Sequence, residues 1–186
     1  LALGAIYALI ALGFVVIYRA SQVFNFAQGE LLSVGAFVMV QWCALGLPWP
    51  IAALATMLAT GFCAAAIERG VMRPLIGRPV FVSAILTIFV GFFLRAMLII
   101  VWGVEPRGMP TPWETTRVVA LGEARVLVNS FASVAAGAVA LGGFFAVMRY
   151  TKLGIAMRAA SYDQEAALAH GVPVGRVLGA TWFLSG

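Results

Sequence analysis

Apolar runs separated by short polar stretches make up most of the chain, at 1–18, 31–45, 51–67, 81–102, 126–148 and 177–186. None has the strict alternation of a barrel strand, and the longer runs reach the roughly 20 residues that a helix needs to cross a hydrocarbon core of about 30 Å. The run at 31–45 is the exception. Its 15 residues rise only about 22 Å as a helix, so the span is predicted to begin near Gln22, which carries Asn25, Gln28 and Glu30 into the membrane. The expected fold class is all-α, a polytopic transmembrane helix bundle of about six spans in a single domain over 1–186. The chain opens at Leu1 and stops at Gly186 within apolar runs, and is read as a fragment truncated at both ends.

The polar stretches give the spans a direction. Arg19 follows the first run, Arg69, Arg73 and Arg78 surround Glu68 and Pro74 after the third, and Arg149, Lys152, Arg158 and Arg176 follow the fifth. Between the fourth and fifth runs, 103–125 carries three acids and three bases. The positive-inside rule puts 66–80 and 149–176 in the cytoplasm and 103–125 outside. Trp42, Trp49, Trp102 and Trp113 then fall at the outer interface and Tyr18, Tyr150 and Tyr162 at the inner, as aromatic belts require. Gly4, Gly13, Gly35, Gly61, Gly137, Gly142 and Gly143 are read as helix-packing positions.

The longest water-facing stretch, 149–173, is predicted to hold its own short helix. Ser161 with Gln164 three residues on has capping-box spacing, and Asp163 and Glu165 would sit in the first turn, where the helix dipole favours acids. Gly171 stands where a C′ glycine is wanted, next to His170, and Pro173 prevents continuation. The expected helix covers 162–170, about 13 Å. Ala166, Ala167 and Ala169 would let a partner surface approach closely, as in a docking helix, while a connector helix lying on the membrane surface has the same spacing.

Polar residues inside the second span are the main candidates for chemistry. Asn25, Gly29 and Ser33 recur at i, i+4 and i+8 on one helical face, with Gln28 and Glu30 beside them. Such groups line a translocation path or act as interhelical hydrogen-bond glue, and an intramembrane carboxylate such as Glu30 is costly enough to need a reason. Arg95, about 10 Å from the outer end of the fourth run, is read as an interfacial anchor that snorkels rather than as a substrate-binding arginine.

Composition narrows the function. With 63% hydrophobic and 10% charged residues, the chain is far from the roughly 25% charge of a soluble domain. The net charge of +5 comes from residues at the ends of apolar runs, so positive-inside placement explains it and nucleic-acid binding is not indicated. Cys43 and Cys63 fall at different depths, so no disulfide is expected, and neither has His, Asp or Glu at ligand spacing, so no metal site is expected either. There is no Walker phosphate loop, and His170, the one histidine, is read as a helix C-terminal residue. No catalytic constellation can be assembled.

Two motifs resemble a known family. Asn25-Phe26-Ala27-Gln28-Gly29-Glu30-Leu31-Leu32, preceded by Tyr7-Ala8-Leu9-Ile10-Ala11-Leu12-Gly13 and Ile17-Tyr18-Arg19, is similar to the opening of LivH-type branched-chain amino acid permeases. Glu165-Ala166-Ala167, then Gly171 after three further residues, resembles the EAA-type cytoplasmic loop of ABC importer permeases; Gly154, Arg158, Ala159 and Asp163 look like its branched-chain version. Glu68-Arg69, Arg73-Pro74-Leu75 and Gly77-Arg78-Pro79 resemble the family's first cytoplasmic loop, and physically make an ion-paired basic anchor. The resemblance weakens at 103–125, and Arg95 stands where the family usually has an uncharged polar residue.

The resemblance implies an importer subunit of the bacterial inner membrane that binds no cofactor itself. ATP would be used by cytoplasmic ABC ATPase subunits, alongside a second, LivM-like permease chain and an extracytoplasmic solute-binding protein. Gly154, Arg158, Ala159, Asp163, Glu165, Ala166, Ala167 and Gly171 would couple to the ATPase, and Asn25, Gln28, Gly29, Glu30 and Ser33 would line the path. The rival reading is an ATPase-independent secondary transporter or channel with Glu30 as its ion or proton site; a multi-spanning scaffold is a third.

Overall fold

Every apolar run becomes a helix in the structure, a computed structural model that describes residues 2–75, 78–114, 117–121, 124–162 and 164–186. In order these are α1 (Ala2–Ser21), α2 (Gln28–Ala44), α3 (Trp49–Ile67), α4 (Val80–Trp102) and α5 (Val128–Tyr150), followed by α6 (Lys152–Tyr162), α7 (Gln164–Ala169) and α8 (Val174–Ser185). Helical stretches at Ala2–Ser21, Trp49–Leu75, Val80–Trp102 and Val128–Tyr150 are long and apolar enough to cross a membrane. The fold is therefore all-α, with four such stretches among the described residues. α2, at 17 residues, and α8, at 12, are each shorter than a full crossing. Gly77, Glu123 and Asp163 lie outside the described residues.

Two expected boundaries are corrected. The second helix does not start near Gln22 but at Gln28, because the residues before it satisfy their backbone in other ways. Gln22 takes φ 58°, a left-handed cap for α1, with its N–H donating to Tyr18 O at 2.8 Å. Ser21 Oγ then accepts from Val23 N–H at 3.3 Å, and Asn25 Oδ1 accepts from Ala27 N–H at 3.1 Å. Short polar side chains that bond to nearby backbone compete with the helix in this way.

The second correction concerns 162–170. Ser161 is not an N-cap but lies inside α6, where its Oγ donates to Arg158 O at 2.8 Å, and the helix that ends at this stop is α7, Gln164–Ala169. The C-terminal signals were sound. Gly171 adopts φ 80°, its N–H donates to Leu168 O at 2.9 Å, and Val172 N–H donates to Ala167 O at 2.9 Å, a complete Schellman motif.

The connection outside α4 also differs from expectation. Antiparallel strands β1 (Val118–Leu121) and β2 (Ala124–Leu127) pair Val118 with Leu127 and Leu121 with Ala124, so part of the charge-balanced loop is a hairpin leading into α5. β-branched Val118, Val119 and Val126 suit it, but four residues per strand are too few to stand out beside long apolar runs. Near this end, the Trp49 and Trp113 ring centroids are 5.6 Å apart and Trp102 Nε1 donates to Gln41 Oε1 at 3.2 Å.

Two apolar clusters hold the helices. One joins Val16 and Ala20 of α1, Met157 of α6, Ala167 of α7, and Val174 and Val177 of α8. The other joins Ala27 and Leu31 to Ala64 of α3 and Val90 and Leu94 of α4. Of the glycines read as packing positions, Gly13, Gly35, Gly61 and Gly137 meet a neighbouring helix, whereas Gly4, Gly142 and Gly143 face open space.

Gly154 packs against the last turn of α5, where an added Cβ would lie 2.6 Å from Met148 Cα and closer still to its carbonyl oxygen. Gly154→Ala is therefore expected to open the α5–α6 corner and destabilise the protein by about 1–3 kcal/mol. A thermal melt matching that of the unsubstituted protein would count against this contact.

Candidate translocation site and coupling surface

The break before α2 gathers polar side chains within the apolar body. Residues 22–27 run along α4, with Phe26 N–H donating to Thr87 Oγ1 at 3.1 Å and the Thr87 hydroxyl 3.3 Å from Phe24 O. Thr87 is seven residues into α4, or about 10 Å from its start, so this non-helical backbone lies well inside the span. Backbone of this kind is tolerated at membrane depth only where protein or a water-filled cavity satisfies it. Thr87 supplies part of that satisfaction.

Asn25, completely buried, and Gln28, nearly so, form the centre of the site. Asn25 Nδ2 donates to Gln28 Oε1 at 3.2 Å, and Gln28 Nε2 donates to Ser185 O of α8 at 3.1 Å. Ser185 Oγ lies 3.1 Å from Gln28 Oε1 and 3.0 Å from Gly13 O, so one hydroxyl proton serves two acceptors. An added Cβ at Gly13 would sit 2.5 Å from Gln28 Nε2, which is why α1 carries no side chain there. The node ties α1, α2 and α8 together on the wall of a cavity of about 610 Å³ that is otherwise mainly apolar.

The expected polar face is divided rather than continuous. Asn25 precedes the helix, so helical spacing does not align it with Gly29 and Ser33. Gly29 is exposed, and Ser33 Oγ donates to Gly29 O at 3.2 Å within its own helix. Glu30 points elsewhere, its Oε1 3.8 Å from Arg95 Nη1, with the Glu30 side chain 25% and the Arg95 side chain 67% exposed. Sequence reasoning missed Thr87 and Ser185. The available signal was the isolation of each hydroxyl in an apolar run, where a polar side chain needs a partner.

A second polar cluster closes the opposite end of α3. The helix widens to π geometry at Glu68–Met72 and tightens to a 3₁₀ turn at Arg73–Leu75, where Pro74 has no N–H to continue the helix. The Glu68 side chain is 2% exposed and receives a fork from Arg73, with Nε to Oε1 at 3.2 Å and Nη2 to Oε2 at 3.1 Å. Arg73 Nη2 also donates to Gly175 O of α8 at 2.5 Å. Cβ positions built at Gly175 and Gly179 come within 3.3–3.6 Å of this pair, so α8 offers it a face without side chains. The expected basic anchor is thus an ion pair whose carboxylate is buried and whose part-exposed arginine clamps it to α8.

The residues assigned to ATPase coupling fall in three groups. Gly154 and Arg158 bind the α5–α6 corner, Arg158 through a hydrogen bond from Nη1 to Met148 O. Ala159 is half-buried against the first cluster, and Ala167, 5% exposed, lies inside it. Ala166 and Gly171 are exposed. Asp163 lies outside the described residues, as does the Glu165 side chain. Among the described residues no three His, Cys, Asp or Glu side chains gather where they could hold a metal.

A non-helical connection between α1 and α2 at membrane depth, with polar side chains gathered there beside a cavity, is a feature of multi-pass membrane transport proteins. The chain belongs to the family described as branched-chain amino acid transport system / permease component, which matches residues 1–186. It is similar to the high-affinity branched-chain amino acid transport system permease protein LivH of Salmonella typhimurium, at 26% identity, and of Escherichia coli, at 27%. Each match covers 98% of this chain and 63% of the relative. It is also similar to the corresponding protein BraD of Pseudomonas aeruginosa, at 28% identity over 60% of this chain and 39% of that protein. The chain thus spans less than two thirds of the length of these relatives. No solved structure matches it.

Proposed function

We propose that the chain is part of the permease subunit of a bacterial ABC importer of the inner membrane, moving branched-chain or related small amino acids by alternating access. The observation that carries this reading is the match of the whole chain to the branched-chain permease family. The substrate class follows the relatives' names. The implied partners are cytoplasmic ATPase subunits, which use the ATP, a second LivM-like permease chain and an extracytoplasmic solute-binding protein. The six-span reading counts α2 with its extended entry as the second crossing and α8 as the start of the sixth. It makes 1–186 one permease domain with 149–176 as its cytoplasmic loop.

Mechanism follows from which parts are tied together. α7 offers Ala166 and Ala169 on its exposed side, while Ala167 joins it to the cluster shared with α1 and α8. Movement of a docked ATPase would pass through α7 to α8, and α8 carries both Gly175, held by Arg73, and Ser185, bonded to Gln28. The break before α2 and the coupling segment are thereby linked through one short helix, an arrangement suited to rocking between inward- and outward-open packings. The ion pair with Arg95 gives Glu30 a structural reason to sit in an apolar span, which weakens the ATPase-independent rival. It also requires protein or water over that face of α2 and α4, consistent with a second permease chain.

The test is ATP-dependent uptake of a branched-chain amino acid by the full-length complex in proteoliposomes, combined with copurification of the ATPase. Ala166→Arg should release the ATPase and abolish ATP-driven uptake without changing the melting temperature. Ala167→Arg should lower the melting temperature itself, because its site is buried. Retention of the ATPase by Ala166→Arg, with normal uptake, would remove α7 as the docking element.

A further inference from the structure

Beside α1, α5 and α6 lies a cleft of about 580 Å³, separate from the polar node. Its walls are apolar, with Val16 of α1, Phe145 of α5 and Met157 of α6 among them, and its rim carries Arg19, Arg149 and Arg158. Arg19 and Arg149 occupy the last turns of two spans that end on the same side. All three are exposed and carry the same charge, so the rim attracts anions. The ion pairs among the described residues, Arg73–Glu68 and Arg95–Glu30, involve none of the three. Arg158 uses Nη1 to hold Met148 O, and a guanidinium has further N–H groups for a ligand. Arg149 lies 5.8 Å from the centroid of the Tyr150 ring, an interfacial aromatic.

The chemistry asked for has two parts, an anion at the rim and a long apolar body in the cleft. A soluble anion would satisfy only the rim, and a neutral lipid only the walls. We propose that this cleft holds one anionic phospholipid, its phosphate on Arg19, Arg149 and Arg158 and an acyl chain along Val16 and Phe145. The proposal rests on the spanning topology, which sets the arginines at the level of the headgroups, where basic pockets between helices attract anionic lipid. It does not depend on what the permease transports.

The full-length permease, in its complex, is reconstituted in mixed phosphatidylcholine and phosphatidylglycerol vesicles, extracted, and weighed intact by native mass spectrometry. One phosphatidylglycerol should remain per permease, in preference to phosphatidylcholine, and excess inorganic phosphate should not displace it. Arg19→Gln with Arg149→Gln should cut its retention at least about tenfold, from two lost basic contacts. The paired Lys variants should keep it, as should Arg176→Gln, an exposed arginine outside the cleft. Equal retention of the two lipids, or undiminished phosphatidylglycerol in the Gln pair, would overturn the proposal. Displacement by phosphate would mean that the rim reads a free anion, and loss of lipid from the Lys pair or from Arg176→Gln would mean that these substitutions act through the fold. No lipid at all in the assembled complex would assign the cleft to another protein segment. Each of these results also rejects the phospholipid.

Discussion

Arg73→Ala is expected to destabilise the permease by about 3 kcal/mol, because it leaves the Glu68 carboxylate buried without its counter-charge. The figure is taken at the low end of the range for broken buried pairs, since the Arg73 side chain is itself 35% exposed. The substitution also removes the bond to Gly175 O, so α3 and α8 lose their shared clamp. Glu68→Leu combined with Arg73→Leu should recover part of the loss, because no charge then remains buried. Chemical denaturation of the purified complex, followed by tryptophan fluorescence, measures both. A single variant as stable as the unsubstituted protein, or a double variant worse than the single, would show that the pair does not hold α8 in place.

Asn25→Leu should lower stability by about 2 kcal/mol and also reduce transport by each folded complex. The first effect follows from the loss of the acceptor for Ala27 N–H, a buried donor that no water can reach. The second follows if the node lines the path. Gln28, which lines the cavity, would keep its bonds to Ser185 but lose Asn25, so the amide offered to a polar solute would be less firmly held. Uptake per mole of reconstituted complex, set beside the melting temperature, separates the two effects. Reduced stability with normal uptake per complex would make Asn25 structural glue and take it off the path.

The all-α class and the order of the long helices were legible because the bilayer imposes a length on each crossing. α4 and α5 begin and end within about two residues of the apolar runs that predicted them. The C-terminal stop at Gly171 was legible for a similar reason, since the positive φ of a Schellman cap favours glycine whatever surrounds it. The start of α2 was misread because length alone set it. A short apolar run can be completed by extended backbone as well as by helix, and the choice depends on Thr87, 61 residues from its partner Phe26.

The all-α class and the likeness to branched-chain permeases were readable along the chain, since each depends on local composition or on contiguous motifs. Tertiary structure alone decided which polar residues act together. Asn25, Gln28, Gly13 and Ser185 meet across as many as 172 positions, Arg73 reaches α8 across 102, and Glu30 turns away from the node to Arg95. Ala166 and Ala167 are adjacent and identical in kind, yet one is exposed and the other buried. Neither composition nor spacing could separate them, because the difference is made by the face that α7 turns toward α1 and α8.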